Sequence, residues 1–300
     1  MSNFCIAGHY KGVTKYLLTL KTLVMPEHQN FTASSLQIRA SRPLLVRNIA
    51  YWVFTAFVAW EMALGAYWDL FQIPYVRDVF THLHLPSYFL IIMGIWKLPC
   101  AIVLLIPGWP RVKEWAYAGA FFTYSGAVVL HISAGDGAGG WMGPALYALF
   151  TIASWVLRPP SRKMVATNGR AGWSALSKKG RLITYWVVTI LLAFVVISGG
   201  VAEWTDFTKT TIKGMLLLGY PVYFVRLLGF WKIAGGIVLL APRMRLVKEW
   251  AYIGIFLNMT GAFMTHIACH SAPFHLVWTG VFSVLTVVSW ALRPDNRRLS

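Results

Sequence analysis

Runs of about twenty apolar residues, enough to cross a bilayer's hydrocarbon as a helix, recur along the chain. They fall near 49–70, 86–106, 113–132, 141–157, 182–203, 215–241, 247–268 and 274–292. The fourth is short, and the sixth carries Arg226 and Lys232. Helix breakers punctuate several connections: Pro107-Gly108-Trp109-Pro110, the glycine-rich stretch 135–140, and Ala241-Pro242. Eight such runs in 300 residues leave too little polar sequence to surround them as buried helices of a soluble domain. The pattern predicts an all-α membrane protein with eight transmembrane helices.

The polar positions orient these spans. Charged residues make up 12% of the chain, against about 25% in ordinary soluble domains. Lys and Arg number 27 against 10 Asp and Glu, a net charge of +17. With the N-terminus inside, 21 of the basic residues lie in the tail, the 107–113 loop, the 158–181 linker, the 242–248 loop and the C-terminus. The outer loops hold three, Arg77, Lys209 and Lys213, and three more lie within spans: Lys97, Arg226 and Lys232. This asymmetry predicts a multi-pass protein of the cell inner (plasma) membrane with both termini cytoplasmic. Tryptophans near span ends, such as Trp52, Trp115 and Trp250, fit an interfacial belt. The charge is spread over five short segments, which argues against nucleic acid. The expected partners are the lipid bilayer, anionic lipid at the cytoplasmic basic loops and a membrane protein of unknown identity.

Residues 1–48 read as a basic cytoplasmic tail, disordered or loosely helical. Lys15 and Lys21 interrupt its weakly apolar stretch, so no cleavable signal is expected, and Met25 is an alternative start. Cys5, Cys100 and Cys269 form no CxxC pair, disulfide framework or zinc site.

The chain is duplicated. Residues 86–159 align with 221–294 at an offset of 135 without a gap, and 29 of the 74 pairs are identical. Tyr51-Trp52-Val53 matches Tyr185-Trp186-Val187 at an offset of 134. The units are 49–159 and 182–294, joined by a basic linker at 160–181. Four spans per unit make the repeats parallel. The expected architecture is two up-and-down four-helix bundles side by side.

One pattern occurs in both units: Gly-x-Trp-Lys-x6-Leu-Leu-x-Pro, then Val-Lys-Glu-Trp-Ala-Tyr-x-Gly, then Ser/Thr-Gly-Ala-x3-His-Ile. It runs from Gly94 to Ile132 and from Gly229 to Ile267. This pattern resembles the DoxX-like family of small membrane proteins, whose typical members are similar to one half of this chain. The resemblance implies a tandem duplication of a four-helix unit. It also implies a redox possibility, since some relatives in the wider group are associated with quinone-linked sulfur oxidation or redox homeostasis.

Ionisable residues inside a span mark the first places to seek function. Reflection about the turn between the second and third spans sets Lys97 level with Thr123, and Lys232 level with Asn258. Small residues share those faces, so a Lys–Thr and a Lys–Asn contact are expected at mid-depth. Relatives often carry an acid at the Thr123/Asn258 position. Here Glu61 replaces it in unit one, and unit two has no acid at that depth. Lys232 is then uncharged, or directed at water or an anionic ligand. Alternatively, these residues form a structural polar clamp. A second candidate site lies at the outer face, where reflection sets His131 level with Tyr88 and His266 level with Tyr223. Arg226, one turn inside the boundary, is placed to snorkel or to pair with Glu203. Asp69, Asp78, Glu203 and Asp206 read as outer-loop charges. Glu114 and Glu249 read as first-turn acids complementing a helix dipole.

No catalytic triad, paired-carboxylate signature, nucleotide fingerprint or symmetric metal site is recognisable. Two classes of function remain. One is a non-enzymatic accessory, scaffold or small-molecule-site protein without a cofactor; the other is a membrane redox component that handles quinone.

Overall fold

The computed structural model describes residues 27–163, 177–206 and 209–298. Residues 1–26 of the expected tail and 164–176 of the expected linker lie outside these. Every regular element among the described residues is helical. The order is α1 (Glu27–Leu70), α2 (Pro74–His82), α3 (Tyr88–Leu105), α4 (Pro110–Ser133) and α5 (Ala138–Leu157). After a short 3-10 turn at Pro160–Arg162 come α6 (Lys178–Thr205), α7 (Thr211–Leu217), α8 (Val222–Leu240), α9 (Arg245–Ala268) and α10 (Pro273–Leu292). A second 3-10 turn, Asp295–Arg297, follows α10. Elements α6–α10 repeat α1–α5. The expected tail is thus helical from Glu27 onward. Residues from Tyr51 onward form a compact unit, and the apolar cores of both repeats lie in it.

Among the described residues seven helices are long and apolar enough to cross a membrane: α3, α5, α6, α8, α9, α10 and the Leu44–Leu70 part of α1. The eighth expected span, α4, equals α9 in length, 24 residues each. It is less apolar because Ala118, Ala120 and Tyr124 stand where α9 has Ile253, Ile255 and Met259.

Each repeat has its own apolar core. In the first, Val58 and Met62 of α1 meet Leu104 of α3 and Tyr117 and Tyr124 of α4. In the second, Leu192 and Val196 meet Leu239, Tyr252 and Phe282. A third cluster joins the repeats at the far end of the helices, around Leu83, Leu130, Tyr220 and Val225.

Glycine sets the closest helix crossings. A Cβ on Gly229 of α8 would lie 2.8 Å from the Gly200 carbonyl of α6, and one on Gly94 of α3 would lie 2.7 Å from the Leu70 side chain. At Gly229 the two helices meet backbone to backbone, and at Gly94 the α3 backbone packs directly on the Leu70 side chain.

The repeated Lys-Glu-Trp motif builds the opposite, basic end. Lys113 is fully buried and donates to the carbonyls of Val103, Leu104 and Ile106. Lys248 does the same for Val238, Leu239 and Ala241. Each lysine thereby satisfies the orphan carbonyls that end the preceding helix. Glu114 accepts from Arg158 at 2.6 Å and from the Trp155 indole at 2.8 Å. Glu249 accepts from Arg293 and Trp290, both at 2.7 Å. These glutamates are not first-turn acids: Pro110 starts α4 early enough to put Glu114 beyond its first turn. Their role is to tie the third helix of each repeat to its last. Next to them, Tyr117 reaches Thr55 through Ser154, and Tyr252 reaches Thr189 through Ser289.

Candidate functional site

A cavity of about 750 Å³ opens between the two repeats. Its walls come in equivalent pairs, one from each repeat: Trp96 and Trp231, Gly119 and Gly254, Gly126 and Gly261. The cavity therefore follows the pseudo-two-fold relation of the duplication. The glycines on α4 and α9 supply the room. Cβ atoms at Gly126 and Gly261 would meet nothing closer than 4.0 Å. The lining is mostly aromatic and aliphatic, with a few polar side chains that include Lys97, Lys232, Thr123, Asn258, His131, His266 and Glu203. Volumes of roughly 300–1,000 Å³ with apolar walls and few polar groups are typical of small-molecule sites.

The two lysines are paired with acids on the first helix of their own repeat. Lys97 Nζ lies 2.7 Å from Asp69 Oδ2, and Lys232 donates to Glu203 Oε1. Asp69 is 2% exposed and Glu203 5%. Neither is an outer-loop charge. The reason is where the first helix ends. Leu70 N would sit 3.1 Å from a Cβ at Gly94, and Trp204 N 3.1 Å from one at Gly229. Gly94 lies six residues into α3, about 9 Å at the helical rise. The first helix of each repeat thus stops short of the level at which the second begins, and its last acid stays buried.

The expected Lys–Thr and Lys–Asn contacts do not form. Thr123 donates to its own helix at Gly119 O, 3.0 Å. Asn258 makes no hydrogen bond among the described residues. Reflection about a turn compares adjacent helices only, so it missed a partner on the first helix. Glu61 is also placed differently from expectation: its carboxylate accepts from the Tyr124 hydroxyl, not from Lys97. The unit-two position equivalent to Glu61 is Val195.

The expected outer-face site is likewise rearranged. Tyr88 donates to the carbonyl of Leu218, and Tyr223 to that of Leu83. These acceptors are equivalent C-cap residues of α2 and α7. The chain turns through positive φ just after each, at His84 (48°) and Gly219 (87°). The two tyrosines thus form a reciprocal lock between repeats. Neither histidine bonds a tyrosine. His131 Nδ1 lies 2.5 Å from Asp136 Oδ2, and His266 Nδ1 2.9 Å from Ser271 Oγ. Both pairs span five residues across the turn that ends the third helix, so a local partner wins over a distant one. Asp136 also meets His82 at 2.6 Å. These two imidazoles hold the Asp136 carboxyl below the usual carboxylate range. His266 stacks on His275 with ring centres 4.8 Å apart. Arg226 is exposed, and the Glu203 expected to pair with it is held by Lys232. Among the described residues no group of three or more His, Cys, Asp or Glu is placed to hold a metal.

The repeats also interlock at the basic end. The Trp115 indole donates to Glu249 of the other repeat at 3.2 Å and packs on Trp290 at 5.0 Å. Trp250 packs on Trp155 at 5.8 Å.

Sequence reasoning missed Asp69 and Glu203. A signal was present: at the offset of 134 that aligns the first helices, Asp69 falls on Glu203. Two acids at equivalent positions, in a chain with 10 acids, match two lysines at equivalent positions.

Residues 53–154 and 187–289 each match the DoxX-like family. No curated protein and no solved structure matches the chain. The two matched segments lie one in each repeat and together take in more than half of the sequence. This multi-pass membrane protein therefore belongs to the DoxX-like family, whose unit it carries twice.

Proposed function

We propose that this protein binds an apolar small molecule within the membrane, in the cavity between its two repeats, and catalyses no reaction of its own. The cavity carries this reading. It is large, follows the duplication, and is walled by aromatic and aliphatic side chains. Its ionisable lining residues Lys97, Lys232 and Glu203 are already engaged in ion pairs. The site offers shape and burial more than reactive groups. A quinone belongs to the same class of ligand, but Tyr88, Tyr223 and His131, expected to hold it, are engaged elsewhere.

The same proposal takes α4 as an eighth span. Its 24 residues reach about 36 Å, and Lys113 and Glu114 at its start are consumed by internal bonds. The chain then forms two four-helix units in the inner membrane, with both termini and the basic ends of the helices in the cytoplasm. There the exposed arginines and lysines contact anionic lipid.

Native mass spectrometry of the full chain, extracted from its own membranes, tests the ligand. A bound hydrophobic species is expected on the wild type and lost from the Gly126→Leu/Gly261→Leu variant, which fills the cavity. Wild-type protein free of any adduct, or an adduct unaffected by the variant, would contradict the proposal.

A further inference from the structure

The two halves of the cavity wall differ at one chemically decisive point. In the second repeat Glu203 lines the cavity. Its side chain is 7% exposed. Oε1 takes the Lys232 ammonium, while Oε2 is buried without a hydrogen-bond partner among the described residues. In the first repeat the equivalent acid is Asp69, one methylene shorter. Its Oδ2 pairs in charge with Lys97 at 2.7 Å but is likewise buried without a geometric hydrogen bond; what distinguishes it from Glu203 is that it does not line the cavity. A buried carboxylate oxygen left without a donor is costly, and native proteins rarely leave one so. Asn258, which also lines the cavity and makes no hydrogen bond among the described residues, and the buried, unpartnered indole nitrogens of Trp96 and Trp250 are further unused polar groups on the wall, but none of them is a charged acceptor.

We propose that the ligand is an amphiphile whose apolar body fills the space between Trp96 and Trp231 and whose head is a neutral hydroxyl, donated to the free carboxylate oxygen of Glu203. This deepens the proposed function and rests on it. The chemistry discriminates among heads. A hydroxyl supplies the missing donor. An ether or ester of the same length supplies none, and a fatty-acid anion would face Glu203 as a like charge. The free acceptor is offered by the second repeat alone, since Glu203 lines the cavity and Asp69 does not, so a hydroxyl head is received in one orientation. A free long-chain alcohol and a diacylglycerol share this head chemistry.

The test uses the full chain in detergent and reads quenching of intrinsic tryptophan fluorescence, since Trp96 and Trp231 line the site. The probes are hexadecanol, its methyl ether, hexadecanoate and a diacylglycerol. In wild type, hexadecanol is expected to bind about tenfold to hundredfold more tightly than the ether, the range of one hydrogen bond to a charged acceptor. Hexadecanoate is expected to bind no better than the ether. The diacylglycerol arm assigns the source: tighter binding than hexadecanol points to a membrane lipid, weaker binding to a free alcohol.

The deciding variant is Glu203→Asp. It reproduces the arrangement that the first repeat already tolerates, so the ion pair and the fold persist while the acceptor withdraws from the cavity. The preference for alcohol over ether should fall to within about threefold. Equal binding of alcohol and ether in wild type would overturn the hydroxyl assignment while leaving the cavity as a binding site. A preference that survives Glu203→Asp would also overturn it. If no probe binds at all, the reading of the cavity as a ligand site fails with it.

Discussion

The ion pair between Lys97 and Asp69 makes the sharpest energetic prediction. The charged atoms are 2.7 Å apart, and the side chains are 15% and 3% exposed. At an effective dielectric of about 20, Coulomb's law gives an attraction of about 6 kcal/mol at that distance. Much of this offsets the cost of taking both charges out of water, so the intact pair adds little net stability. Removing one partner is different, because the other charge stays buried. Lys97→Met should therefore destabilise the protein by about 3–5 kcal/mol. Replacing both charges, as Lys97→Met/Asp69→Asn, should recover most of that loss, leaving about 1 kcal/mol. Unfolding in mild detergent titrated with sodium dodecyl sulfate, followed by tryptophan fluorescence, measures Lys97→Met, Asp69→Asn and the double variant. The duplication supplies an internal control, since Lys232→Met and Lys232→Met/Glu203→Gln should show the same order. The reasoning is refuted if Lys97→Met is as stable as wild type, as it would be were the lysine merely extending to the membrane surface. It is equally refuted if the double variant loses the sum of the two single losses.

Two further outcomes follow from contacts at the far end of the helices. Tyr88→Phe and Tyr223→Phe each remove one hydrogen bond between repeats and should each cost about 1–2 kcal/mol in the same unfolding assay; a change confined to one of them would show that the lock is not reciprocal. Asp136, held as a carboxylate by His131 and His82, contributes stability at neutral pH that is lost as the pH falls. Its folded-state proton affinity lies below the unfolded one, so the contribution is complete above the ordinary carboxylate range, near pH 4. It disappears as the pH passes down through the depressed value. The difference in melting temperature between wild type and Asp136→Asn should therefore narrow below about pH 4; a difference that widens with acidification would contradict the assignment.

The architecture was legible because two strong signals coincide in the sequence. Apolar runs of membrane length give the helices, and a gapless internal alignment gives the two-fold relation. The small residues at Gly119, Gly126, Gly254 and Gly261 were also readable as a face of close approach. The structure turns those positions into a cavity between repeats, which depends on helix placement and not on periodicity. The site partners were less legible, for a physical reason. Depth was inferred by counting residues from turns, and that method assumes helices that begin and end at common levels. The first helix of each repeat stops early, so Asp69 and Glu203 read as loop residues although they are buried. The tyrosine and tryptophan bonds between repeats were hidden for another reason. Tyr88 and Leu218 are 130 residues apart in the chain, and their pairing is a property of the assembled duplication. The histidines were misplaced because a five-residue turn offers Asp136 and Ser271 closer at hand than any tyrosine.

The central claim is that the space between the repeats is a ligand site. The measurement that tests it most directly is an experimental structure of the full chain in lipid nanodiscs. The account predicts continuous density between Trp96 and Trp231, with its polar end toward Glu203, and the loss of that density in Gly126→Leu/Gly261→Leu. A cavity closed by direct contact of the two tryptophans, or one holding only water, would contradict it.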